Sequence, residues 1–144
     1  MAQPNILFLF SDQHRADAMG CAGHGTVQTP NLDRLASDGV RFENCYCATP
    51  LCHPSRISLA TGRFPHNTGH NSNNEGFLYP DTPMISHAFR DAGYRTALLG
   101  KLHMCQVANA GSQACDDWLA AAGYDDFMPI HGKAWSCVYE KPEY

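Results

Sequence analysis

"TPMISHAFRDAGYRTALLG", residues 82–100, holds the grammar of a helix and of the strand that follows it. Thr82 can cap a helix, Pro83 suits a first position that needs no amide hydrogen, and Gly93 suits a left-handed stop. Ile85, Ala88, Phe89 and Ala92 recur at spacings of three and four, which lays an apolar stripe along one face. The run "YRTALLG" then reads as a buried strand. A helix that feeds straight into an apolar strand is the building unit of α/β proteins.

The same syntax occurs upstream. In "TPNLDRLASDG", residues 29–39, Thr29 can cap, Pro30 opens, Gly39 suits a left-handed stop, and Leu32, Leu35 and Ala36 form the stripe. Val40 to Cys47 follows with the alternation of a strand. Residues 5–10, "NILFLF", are apolar without alternation, as in a parallel strand covered on both faces. The expected fold class is therefore α/β, a mostly parallel sheet with helices on both faces. Residues 64–81, rich in Asn, Gly, His and Pro, read as a long ordered loop, a kind of segment that often carries function. Residues 112–122 read as a helix through Trp118 and Leu119, stopped at Gly123, and the stretch from Pro129 onward shows no period.

Composition narrows the function classes. In 144 residues, 44% are apolar and 17% charged, which is globular rather than disordered. The net charge of −4 and the lack of any basic run argue against nucleic acid as a partner. The longest apolar stretch, Ile6 to Phe10, is far too short to span a bilayer, so no membrane partner is expected. The start Met1-Ala2-Gln3-Pro4 has no basic leader region, so the expected location is the cytoplasm, or the periplasm or exterior if a leader has been removed. Seven cysteines is an odd count that fits poorly with a closed disulfide framework, and six are expected to be structural.

In open parallel sheets, ligands collect beyond the carboxyl ends of the strands. The first apolar run delivers Asp12 and Gln13 to such an end, and the later one delivers Lys101 and His103. "PLCHPSRISLATGR", residues 50–63, places Cys52 just before a proline-opened helix, with Arg56 one turn on, and helix starts favour anions. Together these pieces describe one anion-friendly, metal-friendly rim. Singly, Asp12 reads equally well as a turn or cap residue, Lys101 and His103 as solvated loop residues, and Arg56 as half of a surface ion pair. His66 and His70 read as surface or turn residues and His53 as a spacer. The spacing of Cys45, Cys47, Cys52 and His53 matches no common structural zinc pattern.

Residues 52–63, "CHPSRISLATGR", resemble the sulfatase signature, Cys-x-Pro-Ser-Arg followed by a leucine and Thr-Gly-Arg. "NILFLFSDQ" and "TPNLDRLASDGVRFENCY" before it and "GKLH" after it extend the resemblance over most of residues 5–103. The family is the type I, formylglycine-dependent sulfatases of the alkaline phosphatase superfamily, which also holds phosphonate monoester and phosphodiester hydrolases with the same nucleophile motif.

The resemblance implies a hydrolase of sulfate esters whose nucleophile derives from Cys52. A formylglycine-generating enzyme, a partner during maturation, oxidises that thiol to an aldehyde and reads Pro54 and Arg56 as part of its motif. The hydrated aldehyde offers one hydroxyl to attack sulfur and a second that lets sulfate leave, an exit that a simple serine lacks. The resemblance further assigns Asp12, Gln13 and residue 52 to a divalent cation, usually calcium. Gln13 stands where many relatives carry a second aspartate, so it brings an oxygen but no charge. Arg56 corresponds to the arginine that holds the formylglycine, Lys101 to the lysine that binds sulfate and the nucleophile's oxygen, and His103 to the histidine that takes the proton when the intermediate collapses. Family members are several times longer than this chain. Residues 1–144 are therefore expected to be the N-terminal portion of a sulfatase catalytic domain, with its other ligands on the rest of that domain as a partner, and to be inactive in isolation with an uncovered sheet edge. A phosphonate or phosphodiester hydrolase on the same apparatus, and a non-catalytic fragment, are the alternatives.

Overall fold

The computed structural model describes residues 3–74, 76–105 and 112–130, which fall into two compact units, Met1–Tyr46 and Cys47–Tyr144. In the first, a short 3-10 turn at Gly20–Ala22 is held to helix α1, Pro30–Asp38. Asp33 makes that connection: its Oδ1 accepts from the Cys21 amide at 2.7 Å and from the Thr29 hydroxyl at 2.8 Å. Thr29 Oγ1 in turn accepts from the Gly20 amide at 2.8 Å. The hydroxyl expected to cap the helix is thus spent on the neighbouring turn. Gly39 ends α1 with φ −128°, in extended rather than left-handed backbone, which corrects the expected stop.

Residues 5–10 do not form the expected strand, and neither do residues 40–47. A doubly covered strand needs a ladder and two covering faces. The first unit offers one α-helix and one 3-10 turn among its described residues. Ile6, Leu7, Phe8, Leu9 and Phe10 accordingly remain 45–82% exposed. The Phe8 and Phe10 rings stack at 6.0 Å, as side chains two apart on extended backbone can.

The second unit carries the expected α/β order. Helices α2 (Cys52–Thr61), α3 (Pro65–Thr68) and α4 (Ile85–Asp91) precede strand β1 (Ala97–Lys101), and helix α5 (Gln113–Ala121) leads to strand β2 (Asp126–Ile130). The strands pair in parallel, from Ala97 opposite Asp126 to Lys101 opposite Ile130. The Leu102 amide extends the ladder by donating to the Ile130 carbonyl at 3.1 Å. Helix α4 begins at Ile85 rather than after Thr82, because the side chain of His87 accepts from the Met84 amide at 3.2 Å and fixes the start there. Thr82 lies in a turn instead, its amide donating to the Tyr79 carbonyl. Gly93 takes the expected left-handed stop, φ +85°. Helix α5 is capped by Ser112, whose hydroxyl accepts from the Cys115 amide, and it ends before the left-handed Gly123.

The core of this unit gathers Ile57 from α2, Leu102 and Met104 from beyond β1, and Cys115 and Leu119 from α5. Cys105 and Cys115 are buried and behave as small hydrophobes, as expected of the structural cysteines. The loop of residues 64–81 is tied to this core. The Leu78 amide donates to the Met104 carbonyl at 3.0 Å, and the Trp118 indole donates to the Leu78 carbonyl at 3.0 Å. No helix among the described residues is long and apolar enough to cross a membrane.

Candidate active site

Helix α2 begins at Cys52 because Leu51 is still extended, φ −125° and ψ 144°, and Pro54 falls in the first turn, where a missing amide hydrogen costs nothing. Leu51 makes no side-chain cap. The cap comes from the loop: Asn73 Oδ1 accepts from the His53 amide at 3.0 Å. At the far end Gly62 takes the left-handed φ of +67° and its amide closes on the Ser58 carbonyl at 2.8 Å.

Half-buried Cys52 therefore sits at the positive end of a helix dipole. Lys101, the last residue of β1, reaches it there: its Nζ donates to the Cys52 Sγ at 3.3 Å. Arg56, one turn along α2, donates from Nη1 to the Lys101 carbonyl at 2.5 Å. The helix start and the strand end are thus bound by one side-chain contact and one side-chain-to-backbone contact. Ammonium, guanidinium and helix terminus are all positive, so the place suits a tetrahedral oxyanion.

Two residues beyond, His103 has φ +47°. Gln13 in the first unit has φ +56°, and among the described residues these are the two non-glycine positions with positive φ. Left-handed backbone is sparsely populated for side-chain-bearing residues and collects at functional sites. Both positions were singled out from sequence as site residues.

The structure corrects the reading of His53 as a spacer. Its side chain is 1% exposed. Its Nδ1 lies 2.8 Å from the His103 carbonyl oxygen, its Nε2 lies 3.3 Å from His70 Nδ1, and its ring meets those of His70, Phe77 and His103. His70 is likewise half-buried and engaged rather than a surface residue, whereas His66 is exposed. A signal for His53 existed. His53, Ile57 and Ala60 follow at four and three residues, the inward stripe of α2, and all are buried.

Within the second unit Cys52, Arg56 and Lys101 are thus linked to one another, and His103 is tied to the start of the same helix through the bond between its carbonyl and His53. Asp12 and Gln13 stand in the first unit, exposed, directly after the apolar run. Among the described residues, no three His, Cys, Asp or Glu side chains converge as a metal-binding group.

The sulfatase family model matches residues 4–142. The chain is 39% identical over 121 residues to the N-acetylglucosamine-6-O-sulfatase of Bacteroides thetaiotaomicron, covering 84% of this chain and 21% of that protein. It is 38% identical over 107 residues to the arylsulfatase of Clostridium perfringens, covering 74% and 22%. The solved structure of BT4656 in complex with its substrate D-glucosamine-2-N,6-O-disulfate superposes with a TM-score of 0.73 at 35% identity, over 88% of this chain and 23% of that one. The fold is accordingly the alkaline-phosphatase-like α/β architecture of these neighbours. The chain spans about a fifth of the length of the curated relatives it matches.

Proposed function

The chain belongs to the sulfatase family, and from that premise we propose that the protein carrying it hydrolyses sulfate esters with residue 52 as nucleophile, after the Cys52 thiol has been converted to formylglycine. On this reading residues 1–144 are the N-terminal portion of the catalytic domain. The observation that carries the proposal is the 3.3 Å approach of Lys101 Nζ to Cys52 Sγ at the start of α2. A cysteine buried only for packing has no use for a helix terminus, a lysine and a strand end that meet on its sulfur.

The aldehyde, once hydrated, supplies two hydroxyls on one carbon: one attacks sulfur as the bond from sulfur to the ester's alcohol oxygen breaks and the alcohol leaves, and the other serves to release sulfate. Lys101, held by Arg56 through its carbonyl, binds the oxygens of the transferred group and orients the attacking atom on residue 52. Its charge and the helix terminus stabilise the negative charge that builds there. His103 takes the proton from the remaining hydroxyl as the bond from residue 52 to the sulfate oxygen breaks, sulfate departs and the carbonyl returns.

A divalent cation, calcium by resemblance, is assigned to Asp12, Gln13 and the oxygen carried at residue 52. The donor chemistry fits: a carboxylate and an amide oxygen are hard donors, suited to calcium rather than to a thiolate-seeking metal. When bound, the cation supplies Lewis-acid charge to the reacting oxygens.

The test is intact mass of the peptide holding residue 52 from the full-length protein, made in a host with the modifying enzyme. Conversion lowers the mass by about 18 Da, one sulfur and two hydrogens lost and one oxygen gained, whereas ordinary thiol oxidation raises it. Aryl sulfate and aryl phosphonate esters are assayed in parallel. A full-length protein with formylglycine at 52 that leaves every sulfate ester untouched overturns the proposal.

A further inference from the structure

We propose that His53 is a positioning residue for His103, setting through the backbone where that imidazole stands at the reacting group. The inference rests on the sulfatase reading above.

The geometry has three parts. First, the His103 carbonyl oxygen can only accept, so His53 Nδ1, at 2.8 Å, must carry the hydrogen and donate. Second, that carbonyl belongs to a residue with φ +47°, a conformation the chain does not hold unaided. The bond from a fully buried ring to that carbonyl pins the peptide leaving residue 103. Third, the ring has little room to turn. Its Nε2 faces His70 Nδ1 at 3.3 Å, its edge meets Phe77 at 5.9 Å between centroids, and its own amide is bound by Asn73 Oδ1. One rigid imidazole thus links the start of α2, which carries Cys52, to the peptide of His103. The two reacting residues keep a fixed relation because His53 spans them.

The consequence is specific to one step. If His103 takes the proton that lets sulfate leave, a misplaced His103 slows release while binding and attack proceed. Sulfate then accumulates on residue 52.

The test uses the full-length protein with formylglycine content measured at residue 52 and rates expressed per aldehyde. His53→Leu fills the volume and removes both nitrogens. His53→Asn keeps a donor near the Nδ1 position, and His53→Gln places its amide toward the Nε2 position. We expect kcat of His53→Leu to fall about 10- to 100-fold, the order of cost that misplacement of a reacting group carries, with KM falling alongside it so that kcat/KM stays within about twofold, as slowed release after an unaltered attack requires. A sulfated residue-52 peptide should be trapped by acid quench. His53→Asn should recover most of kcat and lose the trapped adduct, while His53→Gln should not. A folded His53→Leu protein with wild-type kcat and no trapped sulfate overturns the proposal. If His53→Leu does not fold, the other two decide, and equal kcat in Asn and Gln variants overturns it. Failure of the sulfatase reading is separable, because then the wild type itself shows no hydrolysis and no adduct.

Discussion

Lys101 Nζ donates to Cys52 Sγ across 3.3 Å, while the carbonyl of the same lysine receives Arg56. Side chain and backbone of one residue therefore serve different ends. On the proposed reading the ammonium faces the reacting atom, and its bond is to the Cys52 sulfur rather than to the core. Lys101→Met should lower turnover about 100- to 1000-fold, the usual cost of one donor to a developing oxyanion. Its melting temperature should stay close to wild type. Steady-state kinetics with a thermal melt checks this, and a large fall in melting temperature would assign Lys101 to the scaffold instead.

Arg56 should behave differently. Its guanidinium bonds a backbone carbonyl at the end of β1, so its loss frees the strand end from α2. A hydrogen bond from a charged group contributes about 1.5–3 kcal/mol. Arg56→Met should therefore lose stability of that order and turnover together, since Lys101 loses its anchor. Arg56→Lys should recover little, because a flexible ammonium does not reproduce the planar fork. Denaturant titration and kinetics on both variants check the two effects.

Much of this site was legible in the sequence, and what was missed has physical causes. The signature fixed Cys52 and Arg56, and the helix-to-strand syntax of residues 82–100 delivered Lys101 and His103 to a strand end. Strand β2 was not legible, because "DFMPI" opens on an acid and holds a proline inside. Its pairing with β1 sets Pro129 opposite Gly100, a placement that only the partner strand explains. The apolar run of residues 5–10 was overread, since hydrophobicity makes a strand only where a ladder and covering faces exist. The inward position of His53 is legible only from its spacing to Ile57 and Ala60, since a polar ring beside Cys52 carries no apolar signal of its own.

Gly100 precedes Lys101 with φ +101°, and a Cβ built there meets nothing within 4 Å. Gly100→Ala therefore has a backbone cost alone, about 1–2 kcal/mol. Gly93, φ +85° and equally open, is the control outside the site. Both alanine variants should lose similar stability. Only Gly100→Ala should also lose turnover, several-fold, because relief of its strain moves the peptide that carries Lys101. Equal turnover in the two would show that β1 absorbs the change without passing it to the lysine.

Asp33 gives the first unit a dependence on acid. The Thr29 hydroxyl first, and then the Cys21 amide, hold its carboxyl below the usual carboxylate range. A lowered folded value means that the ionised form is favoured by folding. Its contribution is complete above the ordinary carboxylate pKa of about 4 and is lost as pH falls through the lowered value. The Cys21 amide reports this directly, because it donates to Asp33 Oδ1. Hydrogen-exchange protection at Cys21, corrected for intrinsic exchange, should be constant near neutrality and fall in acid. In Asp33→Asn the oxygen remains but the charge does not, so protection should be weaker throughout and flat with pH. An Asn variant that keeps the acid fall would place its origin in another carboxylate.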